Sequence, residues 1–303
     1  MEEKKVTVLL SAYNGEKYIG EQIDSILNQT YQNIEICVRD DGSKDKTVEI
    51  LKEYEAQGKI HLEQGKNVGF IDSFFWLINH SGDSDYYAFA DQDDVWCSKK
   101  VQYAVERLER EKMDEPILYF TNYDFYDGNL NFVEHRKADT MPPSFRNAVV
   151  DCMPLGFNTV FNKAACEAMR NSTPKHSCGH DWWTYMVCAG LGRVIYDSRP
   201  TVKYRRHEQN VSAGGMDFIK FQVWRFRKFF KNDYFRNVRL QLREYEHFYQ
   251  DKLSPEDRKL LRLFTQEKYH IGTALKKVFY PKRFRRTVVD EIMVRIIFLI
   301  GKL

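Results

Sequence analysis

Short apolar runs alternate with amphipathic stretches over the first third of the chain. Val6 to Ala12 ("VTVLLSA") is apolar almost throughout, which marks a strand covered on both faces. From Glu16 to Asn28, Ile19, Ile23, Ile26 and Leu27 return at helical spacing. A second strand is predicted at Ile34 to Val38 and a helix at Thr47 to Tyr54, with Ser43 or Asp45 as its cap. A short strand (Ile60 to Glu63), a helix (Phe70 to Asn79) and a strand opening at Tyr86 continue the series. Alternation at this spacing predicts an α/β fold with a mostly parallel sheet flanked by helices.

In such sheets ligands sit outside the carboxyl ends of the strands. Polar clusters stand at three of those ends: "SAYNGE", "RDDGS" and "ADQDD". Beyond Lys99 the pattern loosens into a helix and shorter strands, with turns at "YDGNLN" and "MPPS". A helix is expected near His180 and a strand near "TVKYRRH". From about Met216 the chain turns helical, aromatic and basic. The division expected is therefore residues 1–215 as one domain and 216–303 as a helical C-terminal region. There is no internal repeat.

Composition changes this picture little. With 303 residues, 43% hydrophobic and 29% charged, the chain is an ordinary soluble globular protein with room for a sizeable core. Aromatic residues reach 15%, which suits a generous core or stacking on sugars or bases. Cys37, Cys97, Cys152, Cys166, Cys178 and Cys188 lie far apart without metal-type spacing and read as reduced thiols of a cytosolic protein. The acidic start runs directly into a strand, and no uncharged apolar stretch reaches about eighteen residues. A cytoplasmic protein with neither leader nor spanning helix is expected.

The acidic cluster is the most informative. "YYAFADQDDVW" brings a buried strand to the surface and ends it in Asp91, Asp93 and Asp94. Each ionised carboxylate raises the cost of ionising the next unless a cation sits among them. Two carboxylates on alternate residues suit a hard divalent ion, Mg²⁺ or Mn²⁺, with positions left for phosphate oxygens. The plainer reading is an acidic turn capping a helix near Ser98. In "RDDGSKDKT" a carboxylate at a strand end can accept from a pyrimidine N–H; an Asp/Gly turn would look the same. "SAYNGEKY" can close a nucleotide pocket, with Tyr13 packed nearby, or simply turn. "GHDWW" sets Asp181 beside apolar rings, which favours a general base of raised pKa or, equally, a helix cap. "KYRRHEQN" offers two guanidinium groups and an imidazole for a diphosphate or a metal, unless it is solvated surface.

Six separated segments then carry a resemblance: the run from Val6 to Thr47, "KNVGFIDSFFWLI", "FADQDDVW", "LGFNTVFNKAA", "GHDWWTYM" and "YRRHEQNVS". Together, over roughly residues 5 to 215, they resemble the bacterial family-2 glycosyltransferases, which have the GT-A fold. "DQDDVW" followed by "HDWW" is most similar to rhamnosyltransferases of cell-surface polysaccharide synthesis. The resemblance implies that Asp41 reads the pyrimidine, thymine or uracil, while Ala12 and Tyr13 line its pocket with Asn14, Glu16 and Asn67. It implies that Asp91 and Asp93 form the DXD motif holding Mn²⁺ or Mg²⁺, which bridges the donor diphosphate, and that His207 is a further metal or diphosphate ligand. It makes Asp181 the inverting base; from the residues themselves, Arg205 and Arg206 are expected on the diphosphate, and of Trp182 and Trp183 one is expected in the core and the other facing the acceptor sugar. Two positions depart from the pattern: Ser98 stands where relatives commonly have Pro, and His180 where Glu is common.

The implied partners are a dTDP- or UDP-sugar and a glycan or lipid-linked glycan, with no nucleic acid. A nucleotidyltransferase or a noncatalytic nucleotide-sugar binding module would share part of this pattern. Residues 276–303 hold eight Lys/Arg against two Asp/Glu. Val288, Val289, Ile292, Ile296 and Leu299 form an apolar stripe there, and Arg285, Arg286 and Arg295 supply charge. Peripheral contact with the inner face of the cytoplasmic membrane is expected from such a helix. The same stripe could instead dock on the catalytic domain or form a homodimer.

Overall fold

The computed structural model describes residues 3–112, 114–207 and 234–303. Four parallel strands form one half of the sheet: β1 (Val6–Ala12), β2 (Ile34–Asp40), β3 (His61–Gln64) and β4 (Tyr86–Ala90), ordered β3-β2-β1-β4. Between them run α1 (Ile19–Leu27), α2 (Thr47–Ala56) and α3 (Phe70–His80). The predicted elements of this half are all present, within a few residues at their ends. The N-cap position of α2 is Lys46, not the expected Ser43 or Asp45; Asp45, one residue earlier, accepts the Thr47 N–H at 3.0 Å.

The other half of the sheet is mixed. A two-residue strand β5 (Val95–Trp96) and helix α4 (Lys100–Leu108) precede the long β6 (Ile117–Tyr126) and the short β7 (Phe132–His135). Next come α5 (Phe145–Ala148), β8 (Thr159–Asn162), α6 (Lys163–Arg170), α7 (His180–Leu191) and β9 (Arg193–Arg205). β8 lies antiparallel between β4 and β6, β9 runs parallel to β6, and β5 pairs antiparallel with β9. That last pairing draws the acidic loop after β4 against the end of β9.

Strand alternation divides the interior in two. Val6, Val8, Leu10 and Ala12 point from β1 to the side packed by Ile23, Leu51 and Val101, whereas Leu9 points to the side packed by Phe74 and Trp183. The second core continues into the C-terminal helices α8 (Tyr234–Tyr249), α9 (Pro255–Phe264), α10 (Ile271–Val278) and α11 (Val288–Leu299). Phe235, Val238, Leu242, Tyr245 and Tyr249 recur at helical spacing along α8 and pack against α7. These helices share the core of the sheet, and the boundary expected near residue 215 lies outside the described residues. All six cysteines are free.

Candidate active site

The ends of β1, β2 and β4 meet at one edge of the sheet, as parallel topology requires. The loop after β1 is laced to the loop after β2. Asn14, in the left-handed region at φ 48°, donates its N–H to Ser43 Oγ and accepts from Lys44 N at 2.8 Å. Glu16 donates its N–H to Asp45 and accepts from Lys46 N at 2.9 Å. Asn14 and Glu16 therefore brace the loops at the strand ends with these atoms. Tyr13 is 42% exposed, its backbone clamped on both sides by the Gln92 amide at 2.8 and 3.0 Å. Sequence reasoning passed over Gln92, whose signal was only its place inside the acidic cluster.

Asp41 is buried beside Ala12, whose carbonyl accepts the Asp41 N–H at 2.7 Å. Its carboxylate accepts from Arg39 Nη1 and from the N–H groups of Val68 and Gly69, both at 2.9 Å. It thus holds the loop that carries the exposed Asn67. The chain reverses at Gly42, where φ is +81° and a Cβ would stand 3.0 Å from Asn67 N, so glycine is required there.

Asp91 and Asp93 remain partly open to solvent, and Asp94 is fully buried. Burial, then the charges of Asp93 and Asp181, push the Asp91 carboxyl up to about 8. Burial, then the charges of Asp93 and Asp91, drive Asp94 well above the carboxylate range, and one of its oxygens has no partner. His207 Nε2 lies 2.7 Å from Asp93 Oδ2, with its ring against Tyr18. Asp91, Asp93 and His207 are donors of the type a hard divalent ion takes. Among the described residues, however, no group of three such side chains closes into a cage, so a cation here would need ligands from water or a bound phosphate.

Arg205 is buried rather than turned toward a diphosphate. Its guanidinium donates to the carbonyls of Asp93 (2.8 Å) and Gly128 (2.9 Å) and to Glu21, and its N–H reaches Asp94 at 3.1 Å. It clamps the acidic loop. Arg206 points the other way, pairing with Glu134 at 3.0 Å and lying over the Phe125 ring at 3.5 Å. Period-two alternation explains the split: Arg205 and His207 share one side of the strand end, and Arg206 takes the opposite side.

Asp181 sits in the first turn of α7, partly exposed, and its Oδ1 accepts the Trp182 N–H at 2.8 Å. A helix N-terminus favours a carboxylate, and the Gly156 N–H helps, yet burial outweighs both and raises Asp181 to about 6. Trp182 and Trp183 are both in the core, at 5% and 0% exposure, because α7 is sandwiched between the sheet and α8. Trp182 Nε1 donates to Ala148 O at 2.6 Å, and Trp183 packs against Tyr245. Neither offers a face to an acceptor. The exposed apolar side chains near this helix are Phe70, whose ring lies 6.3 Å from that of His180, and Val68. They line a cleft of about 370 Å³ with Lys175 and His176.

The His180 ring stacks on Phe74 at 3.8 Å with neither nitrogen partnered. A Cβ at Gly156 would meet His180 Nε2 at 2.5 Å, so only glycine admits the ring. Burial holds His180 down at about 3 from an ordinary 6.5. The unfolded chain therefore takes up this proton first, and stability falls as pH drops from about 6.5 toward 3. His180→Phe is expected to remove roughly 1.4 kcal/mol of acid sensitivity per pH unit across that window. Urea midpoints at about pH 4.5 and about pH 7.5 measure it; an identical pH slope in both proteins contradicts the assignment.

The model of the glycosyl transferase family 2 matches residues 7–170. Over 224 residues, covering 69% of this chain and 75% of the relative, the chain is 28% identical to the dTDP-rhamnosyl transferase RfbG of Shigella flexneri. It is 35% identical over 179 residues to an uncharacterized glycosyltransferase of Haemophilus influenzae, covering 57% of this chain and 49% of that one. Among solved structures, S. aureus TarS 1-349 in complex with UDP-GlcNAc aligns with a TM-score of 0.58 at 14% identity, covering 97% of this chain and 89% of TarS. The Pyrobaculum calidifontis mannosyltransferase PcManGT with GDP-Man and Mn²⁺ aligns at 0.50 and 17%, covering 100% and 86%. These likenesses bear out the expected GT-A architecture.

Proposed function

Because the chain belongs to glycosyl transferase family 2 and is a glycosyltransferase, we propose that it moves rhamnose from a dTDP- or UDP-linked donor, with inversion, onto a growing, lipid-linked surface glycan. The observation that carries this reading is that Asp93 and Asp181 stand near enough to Asp91 for their charges, after burial, to raise its carboxyl. Two of these carboxylates stand on the donor side, and the third is poised near neutrality as a base. Likeness to RfbG supports the sugar.

In this reading the acceptor hydroxyl gives its proton to the Asp181 carboxylate. Its oxygen forms the new bond to the anomeric carbon, and the bond from that carbon to the diphosphate breaks on the opposite face. A single base and no covalent intermediate give inversion. Asp91, Asp93 and His207 would hold Mn²⁺ or Mg²⁺ with water and diphosphate oxygens. The ion would supply stabilisation of the charge on the leaving diphosphate. Asp41 accepts three protein donors, and a carboxylate has about four acceptor sites, so a pyrimidine N–H beside Ala12, Tyr13 and Asn67 would take the fourth. Phe70 and Val68 replace the tryptophans as the apolar wall for the acceptor.

Incubation with dTDP-rhamnose, UDP-glucose, UDP-GlcNAc and GDP-mannose in Mn²⁺ tests the donor through release of nucleoside diphosphate. Fastest release from dTDP-rhamnose is expected. Turnover of another donor with dTDP-rhamnose inert overturns the rhamnosyl reading and leaves the family assignment intact.

A further inference from the structure

Two neighbouring helices leave a broad apolar face uncovered. Along α10 and its flanks, Tyr269, Ile271, Leu275 and Phe279 are 40% to 77% exposed. Along α11, Val288, Val289, Ile292, Ile296 and Leu299 are 45% to 60% exposed. The opposite stripes are buried, Ala274 and Lys277 on one helix and Val294, Ile297 and Phe298 on the other. Single exposed apolar residues are ordinary; rows of exposed apolar residues on two packed helices mark a contact surface.

Charge indicates what the surface contacts. Lys268, Lys276, Lys282, Arg283 and Lys302 are exposed around it, and Glu267 is the one fully exposed acid from residue 266 to 303. The arginines expected to flank the stripe face inward instead. Arg285 pairs with Asp151, Arg286 with Asp139 at 3.3 Å, and Arg295 with Glu291 at 2.6 Å. Beside Tyr269 opens a cavity of about 440 Å³ whose walls include Arg236, Arg239, Arg243, Lys268 and Lys277. Glu267 also lines it, and burial, then the charge of Arg239, holds Lys277 down at about 8. No helix among the described residues is long and apolar enough to cross a membrane.

We propose that the α10–α11 face seats the protein on an anionic phospholipid bilayer, apolar stripes at the acyl boundary and the surrounding lysines and Arg283 on the headgroups. Apolar area rimmed by cations is the pattern of interfacial helices. The same arginines that turn inward make the attachment stiff. Arg285 and Arg286 bracket the segment containing Asp151, and Asn147 Nδ2 donates to Phe284 O at 2.6 Å. Cys152, next in sequence, lies within electrostatic reach of Asp181. Docking would thus hold the cleft at a set height above the lipid. The proposal stands independently of which sugar is transferred.

Co-sedimentation of the full chain with vesicles of phosphatidylcholine alone, or with added phosphatidylglycerol, is the test. Binding to the phosphatidylglycerol vesicles, weakened by salt, is expected. Phe279→Ser/Ile292→Ser should lower the partition coefficient roughly tenfold without changing the melting temperature, both side chains being exposed. Lys276→Glu/Lys282→Glu should weaken binding to the anionic vesicles alone. Absence of binding, or unchanged partitioning of Phe279→Ser/Ile292→Ser, overturns the proposal. So does a homodimer in analytical ultracentrifugation that this variant dissociates, since the face would then join two copies of the chain.

Discussion

Asp181→Asn is expected to lower kcat by about 10²–10⁴-fold while donor and divalent-ion binding stay near wild type. The amide can still accept the Trp182 N–H, so the side chain keeps its place and loses only its basicity. Wild-type kcat should fall as pH drops below about 6, where burial has moved this carboxyl, and the residual activity of the variant should lack that acidic limb. Stability should move in the opposite direction. The folded carboxyl is raised from 3.8 to about 6, so the unfolded chain releases the proton first and stability declines as pH rises through that window. Removing the charge should make the variant more stable at neutral pH by about 1–3 kcal/mol. A less active, more stable enzyme in steady-state kinetics and urea unfolding is the signature. Near-normal kcat with poor donor binding would make Asp181 a binding residue and place the base elsewhere.

Asp93→Ala should cost at least about 10²-fold in kcat/KM, and chelation of the wild-type enzyme should cause a comparable loss that Mn²⁺ reverses. The fold should survive. The Arg205 clamp on this loop runs through the Asp93 carbonyl and the Asp94 carboxylate, both kept in the variant, and the Asp93 side chain is partly exposed. Relief of the Asp93 charge should also let Asp91 ionise at lower pH, since that charge is the second cause of its upward shift. Thermal melting, activity and divalent titration calorimetry together decide the matter. An Asp93→Ala enzyme with normal turnover and an unaltered melting temperature would remove the carboxylate pair from the donor site.

Much of the site was legible as local pattern. Short apolar runs can only be strands covered on both faces, and at helix-separated spacing they must lie parallel. That alone placed Ala12, Asp41 and Asp91 at one edge of the sheet. Asp93 and His207 were brought together by the family resemblance, which put both at one metal and diphosphate site, and the two side chains meet at 2.7 Å.

Tertiary structure decided the rest, wherever a side chain's role depends on what a distant segment packs against it. Arg205 and Arg206 are adjacent in sequence and equal in chemistry. Antiparallel pairing of β9 with β5 brings the acidic loop to one side of the strand end, so Arg205 clamps that loop and Arg206 faces Phe125. Trp182 and Trp183 look like a carbohydrate platform until α8, some fifty residues later, covers α7. Asn14 and Glu16 are equally consistent with ligand contact or loop lacing, and only the approach of residues 43–46 selects lacing. The tail shows the converse. Helical spacing alone determined that Val288, Val289, Ile292, Ile296 and Leu299 would form one stripe, whereas the inward turn of Arg285 and Arg286 follows from carboxylates that folding brings to them. Periodicity is set by backbone geometry over one or two turns; the partners of Arg285 and Arg286 stand more than a hundred residues away along the chain.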